Sequence, residues 1–150
     1  MQSNFLLIQF VSQNIALLCC ALFAGAAAYV SLVEQPTIIA GGTELTGAYL
    51  LLAQPRPVFF QTFFAAVGGL AGIAAGVTGG AMLWLAGGVV LVFAVLFQLA
   101  VVLPATRRLF ETDLTADPEK ASGMLRNLTR LHAMQSLAGL ASLSMFILKA

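Results

Sequence analysis

No charged side chain occurs between Pro57 and Thr106. A water-soluble fold has no place for so long an uncharged run, because its elements need at least one solvated face. As one unbroken helix, residues 57–103 would be about 70 Å long at 1.5 Å per residue. A bilayer core is about 30 Å thick, so a helical hairpin inside a membrane is the reading that fits. The rest of the chain agrees. Its 150 residues are 60% hydrophobic before the 14 glycines are counted, and only 9% are charged. A soluble domain is about 25% charged. A disordered tail, a nucleic-acid binder and an ordinary cytosolic enzyme are thereby disfavoured. The net charge of +1 selects no partner through bulk electrostatics. The length suits a single all-α domain, a bundle of four transmembrane helices with short loops.

The apolar segments place these helices at about 5–35, 57–77, 82–103 and 118–148. Pro36 disfavours helix in the residue before it, so the first is expected to stop near Gln35. Pro57 suits a first helical position, and Thr78-Gly79-Gly80 reads as a tight turn. The third helix is expected to end at Pro104. Asp117-Pro118-Glu119 is a start signal for the fourth: an N-cap, a first-turn proline and an acid at the positive end of the dipole. Between helices one and two, residues 44–53 are too short to span and read as an interfacial or re-entrant helix. The first 33 residues carry no Lys or Arg. A secretory leader begins with a basic region, so this segment reads as an uncleaved helix.

Charge sets the orientation. Arg56, Arg107, Arg108, Lys120, Arg126 and Arg130 fall on one face of the membrane and only Lys149 on the other. The loaded face is expected to be cytoplasmic, with both termini on the outer side of a bacterial inner membrane.

The helix faces carry further signals. Gly68, Gly72, Gly76 and Gly80 recur every four residues on helix two, a spacing that lets two backbones approach closely in lipid. The neighbour is either another helix of the same chain or a partner, in a homo-oligomer or a larger membrane complex. Gln9 and Gln13 share a face near the start of helix one; they suit either an outer headgroup layer or the lining of an outward-facing cavity. Gln61 and Gln98 are intramembrane amides that each require a partner within the bundle. Cys19 and Cys20 point about 100° apart on a helix and read as small packing residues. One His and two Cys do not suffice for a closed metal site, and no metal or cofactor is expected.

Leu125, Leu128, His132, Gln135 and Gly139 follow one helical face. Its small and polar members turn it toward the bundle interior. The topology brings His132 to the depth of Glu34. An ionisable residue within a membrane segment is a functional candidate, and a Glu–His pair can take and return a proton. The plain alternative is a pair that closes the cytoplasmic end of the bundle.

Three short motifs add a family likeness. They are Tyr29-Val30-Ser31-Leu32-Val33-Glu34-Gln35-Pro36, Leu103-Pro104-Ala105-Thr106-Arg107-Arg108-Leu109 and Arg130-Leu131-His132-Ala133. In these and in segment order, the chain resembles the family of small four-helix membrane proteins that includes fungal anthrone oxygenases. The resemblance implies a four-helix membrane bundle and a cofactor-independent oxidation of a polycyclic aromatic. The matching positions are Glu34, Pro36, Pro104 and His132. Thr106 stands where the family pattern has Asn, Leu128 where it often has Trp, and Gln135 where it often has Arg.

Two functions follow as expectations. In the first, an apolar aromatic or quinone-like ligand enters from the lipid, near the cytoplasmic end of the bundle. Glu34 and His132 are its catalytic candidates, and Thr106, Arg107, Leu128 and Gln135 its binding candidates. In the second, the chain is a non-catalytic accessory subunit of a larger membrane assembly. A transporter is the weaker reading, because no ionisable group stands at mid-membrane.

Overall fold

The computed structural model describes residues 2–42, 55–79, 81–111 and 117–148. Apart from Ala81, Asp117 and Leu148 these residues are helical, and none of them forms a strand. The expected interfacial helix at 44–53 lies outside the described residues. Helix α1 runs from Gln2–Tyr29 through a π turn at Val30–Glu34 and on to Gly42. Helix α2 is Pro55–Gly79. Helix α3 comprises Met82–Phe97, a π turn at Gln98–Val102 and Leu103–Glu111. Helix α4 is Pro118–Ile147. Each packs on two neighbours, α1 on α2 and α4, and α3 on α2 and α4, so the four close into a ring. Three of them, α1, α2 and α3, are long and apolar enough to cross a membrane.

Polarity is reversed relative to a water-soluble bundle. Buried polar residues include Gln35, Gln61, Gln98, Thr106, His132, Gln135, Ser136 and Ser142. Exposed residues include Phe5, Leu6, Leu7, Phe10, Leu18, Leu32, Phe59, Leu70, Phe93 and Leu137. A soluble monomer rarely presents apolar surface on this scale.

Helix α2 starts at Pro55 rather than Pro57, and Thr78 and Gly79, expected in a tight turn, continue it. The larger differences are at the ends of α1 and α3. Neither Pro36 nor Pro104 stops its helix. Gln35, before Pro36, keeps helical angles (φ −62°, ψ −46°), as does Leu103, before Pro104 (φ −61°, ψ −45°). A π turn relieves the conflict each time. A proline in a regular α-helix lacks its own N–H and drives its ring into the carbonyl four residues back. Here the preceding turn is widened by one residue: Gln35 N–H donates to Val30 O, and Leu103 N–H to Gln98 O. The two turns are built alike, five π residues, one helical residue, then proline. Helix α1 instead ends at Gly42, whose φ of +73° is a left-handed conformation suited to glycine. The start of α4 is as expected: the Asp117 carboxylate accepts the Lys120 N–H at 3.0 Å, with Pro118 following the cap.

The glycine stripe resolves in favour of packing within the chain. A Cβ on Gly72 would meet Phe146 Cζ at 2.7 Å, and one on Gly76 would meet Leu85 N at 2.6 Å. Across the seam, a Cβ on Gly88 would lie 2.6 Å from Ile73 N and 2.7 Å from Gly69 O. The face bearing Gly68, Gly72 and Gly76 is therefore occupied by the chain's own helices, and Gly80 lies outside the described residues. Phe146 reaches into this crossing and stacks on Trp84, with centroids 4.7 Å apart and planes at 15°. Around the pair lie Ala16, Cys20, Phe23, Ala65, Ala75 and Leu91. A second apolar cluster, Ile38, Val102, Leu109, Leu125 and Leu128, fills the end nearer the charged residues.

Gly88→Ala forces backbone apart at the α2–α3 crossing and should cost about 1–3 kcal/mol. Gly123 has open space around its missing Cβ. Gly123→Ala should be neutral or stabilise by up to about 1 kcal/mol. Thermal unfolding of both variants in mild detergent checks the contrast.

Candidate functional site

Between the two apolar clusters lies a layer of polar side chains contributed by α1, α3 and α4. Both π turns feed it. The first contains Ser31 and Glu34 and precedes Gln35, and the second begins at Gln98. Ser31 Oγ and Ser136 Oγ share a hydrogen bond of 2.7 Å. The single hydroxyl proton of Thr129 is shared between Gln35 Oε1, at 3.2 Å from Oγ1, and Leu125 O, at 3.0 Å. Ser136 Oγ donates to His132 O at 3.1 Å. These contacts set α1 and α4 in antiparallel register. Glu34 on α1 and His132 on α4 fall in sequence between the two cross-helix contacts, so their backbones share one layer, as expected. Glu34 is half-buried and His132 buried.

On the other side of α4, Gln135 Nε2 donates to Gln98 Oε1. Gln98 is 1% exposed and Gln135 2%. Gln98 thus has the intrabundle partner that its depth requires. The pairing engages two of the four side-chain nitrogen and oxygen atoms of these amides. Gln98 Nε2 and Gln135 Oε1 are buried without a hydrogen bond of ordinary geometry, although the Gln135 side chain also stands within reach of the His132 ring. Leaving a buried donor or acceptor unanswered costs about 1–3 kcal/mol for each group. Exceptions of this kind in a folded interior call for an explanation, and binding is one.

An opening beside this pair supplies one. A cavity of about 300 Å³ lies between α3 and α4. Its walls are Val90, Phe93, Ala94 and Phe97 from α3, and Met134, Gln135 and Ala138 from α4. Phe93 and Met134 are exposed on the outside of the bundle. Among these wall residues Gln135 alone is polar. Two phenyl rings, a thioether and one fixed amide describe a site for an apolar molecule with a single polar group.

Of the residues singled out in the sequence, Gln135 lines this cavity. Thr106 is buried on α3 beyond Pro104, Arg107 is exposed, and Leu128 belongs to the apolar cluster with Ile38, Val102, Leu109 and Leu125. None of these three is a cavity wall. Gln98, Phe93, Phe97 and Met134 were not anticipated as site residues. The period of α3 is hidden by a sequence that is apolar on every face. Among the described residues no group of three or more His, Cys, Asp or Glu is placed to hold a metal ion. Comparison with protein-family models, with curated proteins and with solved structures found no match.

The register of the layer is open to a direct check. In a variant with Cys19 and Cys20 replaced by Ala, the pair Ser31→Cys and Ser136→Cys should form a disulfide on mild oxidation, seen as a mobility shift reversed by reductant. The control pair Leu32→Cys and Leu137→Cys, at two exposed positions, should not.

Proposed function

We propose that this protein is an integral membrane protein of four spans that takes a small apolar aromatic or quinone-like molecule from the lipid into the α3–α4 cavity. The supporting observation is the cavity itself: aromatic walls, a side on the outer surface of the bundle, and one polar wall residue, Gln135, whose amide is paired with Gln98 behind it. A molecule entering there buries its rings against Phe93, Phe97 and Met134 and turns its polar group to Gln135.

Helix α4 is the fourth span. Its later turns expose Met134, Leu137, Leu140, Ile147 and Leu148 while they bury His132, Gln135, Ser136 and Ser142. That distribution suits a helix facing lipid on one side and a polar bundle interior on the other. Its first turns, with Lys120, Arg126 and Arg130 exposed, stand at the headgroups. Together with Arg107 and Arg108 they make this end cytoplasmic, in a bacterial inner membrane, with both termini outside.

The resemblance to anthrone oxygenases extends this reading to oxidation of the bound aromatic by dioxygen, in which a ring CH2 would become a carbonyl with one oxygen atom and the other would leave as water. Glu34 and His132 would then be the candidates to take and return the proton. Binding does not depend on this extension.

Native mass spectrometry of the protein gently extracted from its own membranes tests the reading. The expected spectrum carries a small lipophile bound in stoichiometric amount. In Val90→Trp, which fills the cavity from α3, that mass should disappear while the protein remains folded. A lipophile retained by Val90→Trp would contradict the assignment. A stoichiometric complex with larger subunits and no small molecule would favour the accessory-subunit role.

A further inference from the structure

We infer that the lipophile held between α3 and α4 is a single-chain amphiphilic acid: its apolar body fills the cavity, and its carboxylate reaches Arg130 at the headgroup level. This rests on the ligand-binding reading above and names the class of molecule that the site accepts. Arg130, Met134 and Ala138 are spaced four residues apart on α4, so they stand on one face of the helix. Met134 and Ala138 are walls of the cavity. Arg130 is the next member of that stripe toward the charged end, about 6 Å along the axis from Met134. Asn127, seven residues before Met134, continues the same face, and both Asn127 and Arg130 are exposed. The cavity is open on this side, where Met134 is 57% exposed. A ligand can therefore pass from the cavity to Arg130 along the outside of α4, without crossing the bundle.

The charge at this position is available. Arg126, one turn further out, donates to Ser122 Oγ at 3.0 Å. Among the described residues no hydrogen bond or ion pair engages the Arg130 guanidinium. The acids of α4, Asp117 and Glu119, stand about three turns further out, roughly 16 Å along the axis. Glu34 belongs to α1, which meets α4 at Thr129 and Ser136, whereas the cavity takes Met134, Gln135 and Ala138. A carboxylate at Arg130 thus meets a cation without a competing acid beside it, in a charge-assisted hydrogen bond stronger than a neutral group can make. The geometry also sets a length. Long side chains lean toward the helix N-terminus, so the guanidinium is carried toward the headgroups. The acid must then extend at least a full turn, about 5 Å, beyond the cavity wall at Met134.

The test uses the whole protein in phosphatidylcholine nanodiscs, with ω-phenyloctanoic acid and its neutral primary amide as probes. Equilibrium binding of each is measured against protein-free nanodiscs, to remove simple partition. The acid is expected to bind about three- to tenfold more tightly than the amide. Arg130→Gln, at an exposed position, should bring the ratio close to one, while Arg126→Gln should leave it unchanged. Equal binding of acid and amide to the unaltered protein would overturn the selectivity while leaving the cavity as an apolar binding site. A preference that survives Arg130→Gln, or that falls equally in Arg126→Gln, would overturn the assignment to Arg130. An anionic phospholipid, found by native mass spectrometry in place of a single-chain acid and lost in Arg130→Gln, would overturn the ligand class. Failure of both probes to bind would remove the binding reading as well.

Discussion

Pro36 and Pro104 each take one N–H out of a helix that continues past them, and the middle of the bundle is arranged around that loss. A helix within a bilayer cannot simply stop, because the freed carbonyls would find no water. Widening the preceding turn by one residue is the local remedy, and it has a consequence beyond the backbone. An inserted residue advances the helix by about 100°, so the side chains before and after the turn no longer follow one continuous face. Gln98, at the first position of the α3 turn, is buried against α4, while Val102, at its last, packs into the inner apolar cluster. The equivalent turn in α1 brings Ser31 to Ser136. Two prolines thus help to build a polar layer from residues on three helices.

The rest of the fold keeps that layer in register. Above it, Gly69, Gly72, Gly76 and Gly88 let α2 and α3 cross at near-backbone distance, and Phe146 of α4 enters beside the crossing to stack on Trp84. Below it, the leucine-rich cluster ties α4 to the post-proline segments of α1 and α3. Rigid packing on both sides leaves the buried amides few ways to rearrange and satisfy one another. Their unanswered atoms are better understood as a fixed feature of the interior than as slack, and the Gln135 side chain borders the aromatic-walled cavity between α3 and α4.

Much of the architecture was legible before any coordinates. Long apolar runs separated by turn residues mark helices whatever their packing, and Asp117-Pro118-Glu119 marks a start through local chemistry alone. The inward face of α4 was readable because His132, Gln135 and Gly139 interrupt leucines at helical spacing. The continuation past Pro36 and Pro104 was not. Proline reports a lost hydrogen bond, and the choice between ending a helix and widening its turn depends on what surrounds it. The cavity was illegible for a related reason. Helix α3 is apolar all round, so nothing in Val90, Phe93 and Phe97 distinguishes a wall from a lipid-facing residue. Glycine spacing announced a close approach without naming the neighbour, which packing supplied as Leu85 and Gly88. Glu34 and His132 were correctly placed in one layer by topology, whereas Arg107 and Leu128, at a similar depth, are turned to solvent and to an apolar cluster.

The central claim is that the proline-linked π turn delivers Gln98 to Gln135. Solid-state NMR of the protein in lipid bilayers, with side-chain ¹⁵N and ¹³C labels on glutamine, tests it most directly. A through-space correlation is expected between the amide nitrogen of one of these two residues and the amide carbon of the other, assigned by single Gln→Met variants. Loss of that correlation is expected in Pro104→Ala, where the turn is free to close into regular α-helix. A wild-type spectrum without the correlation, or one unchanged by Pro104→Ala, would contradict the claim.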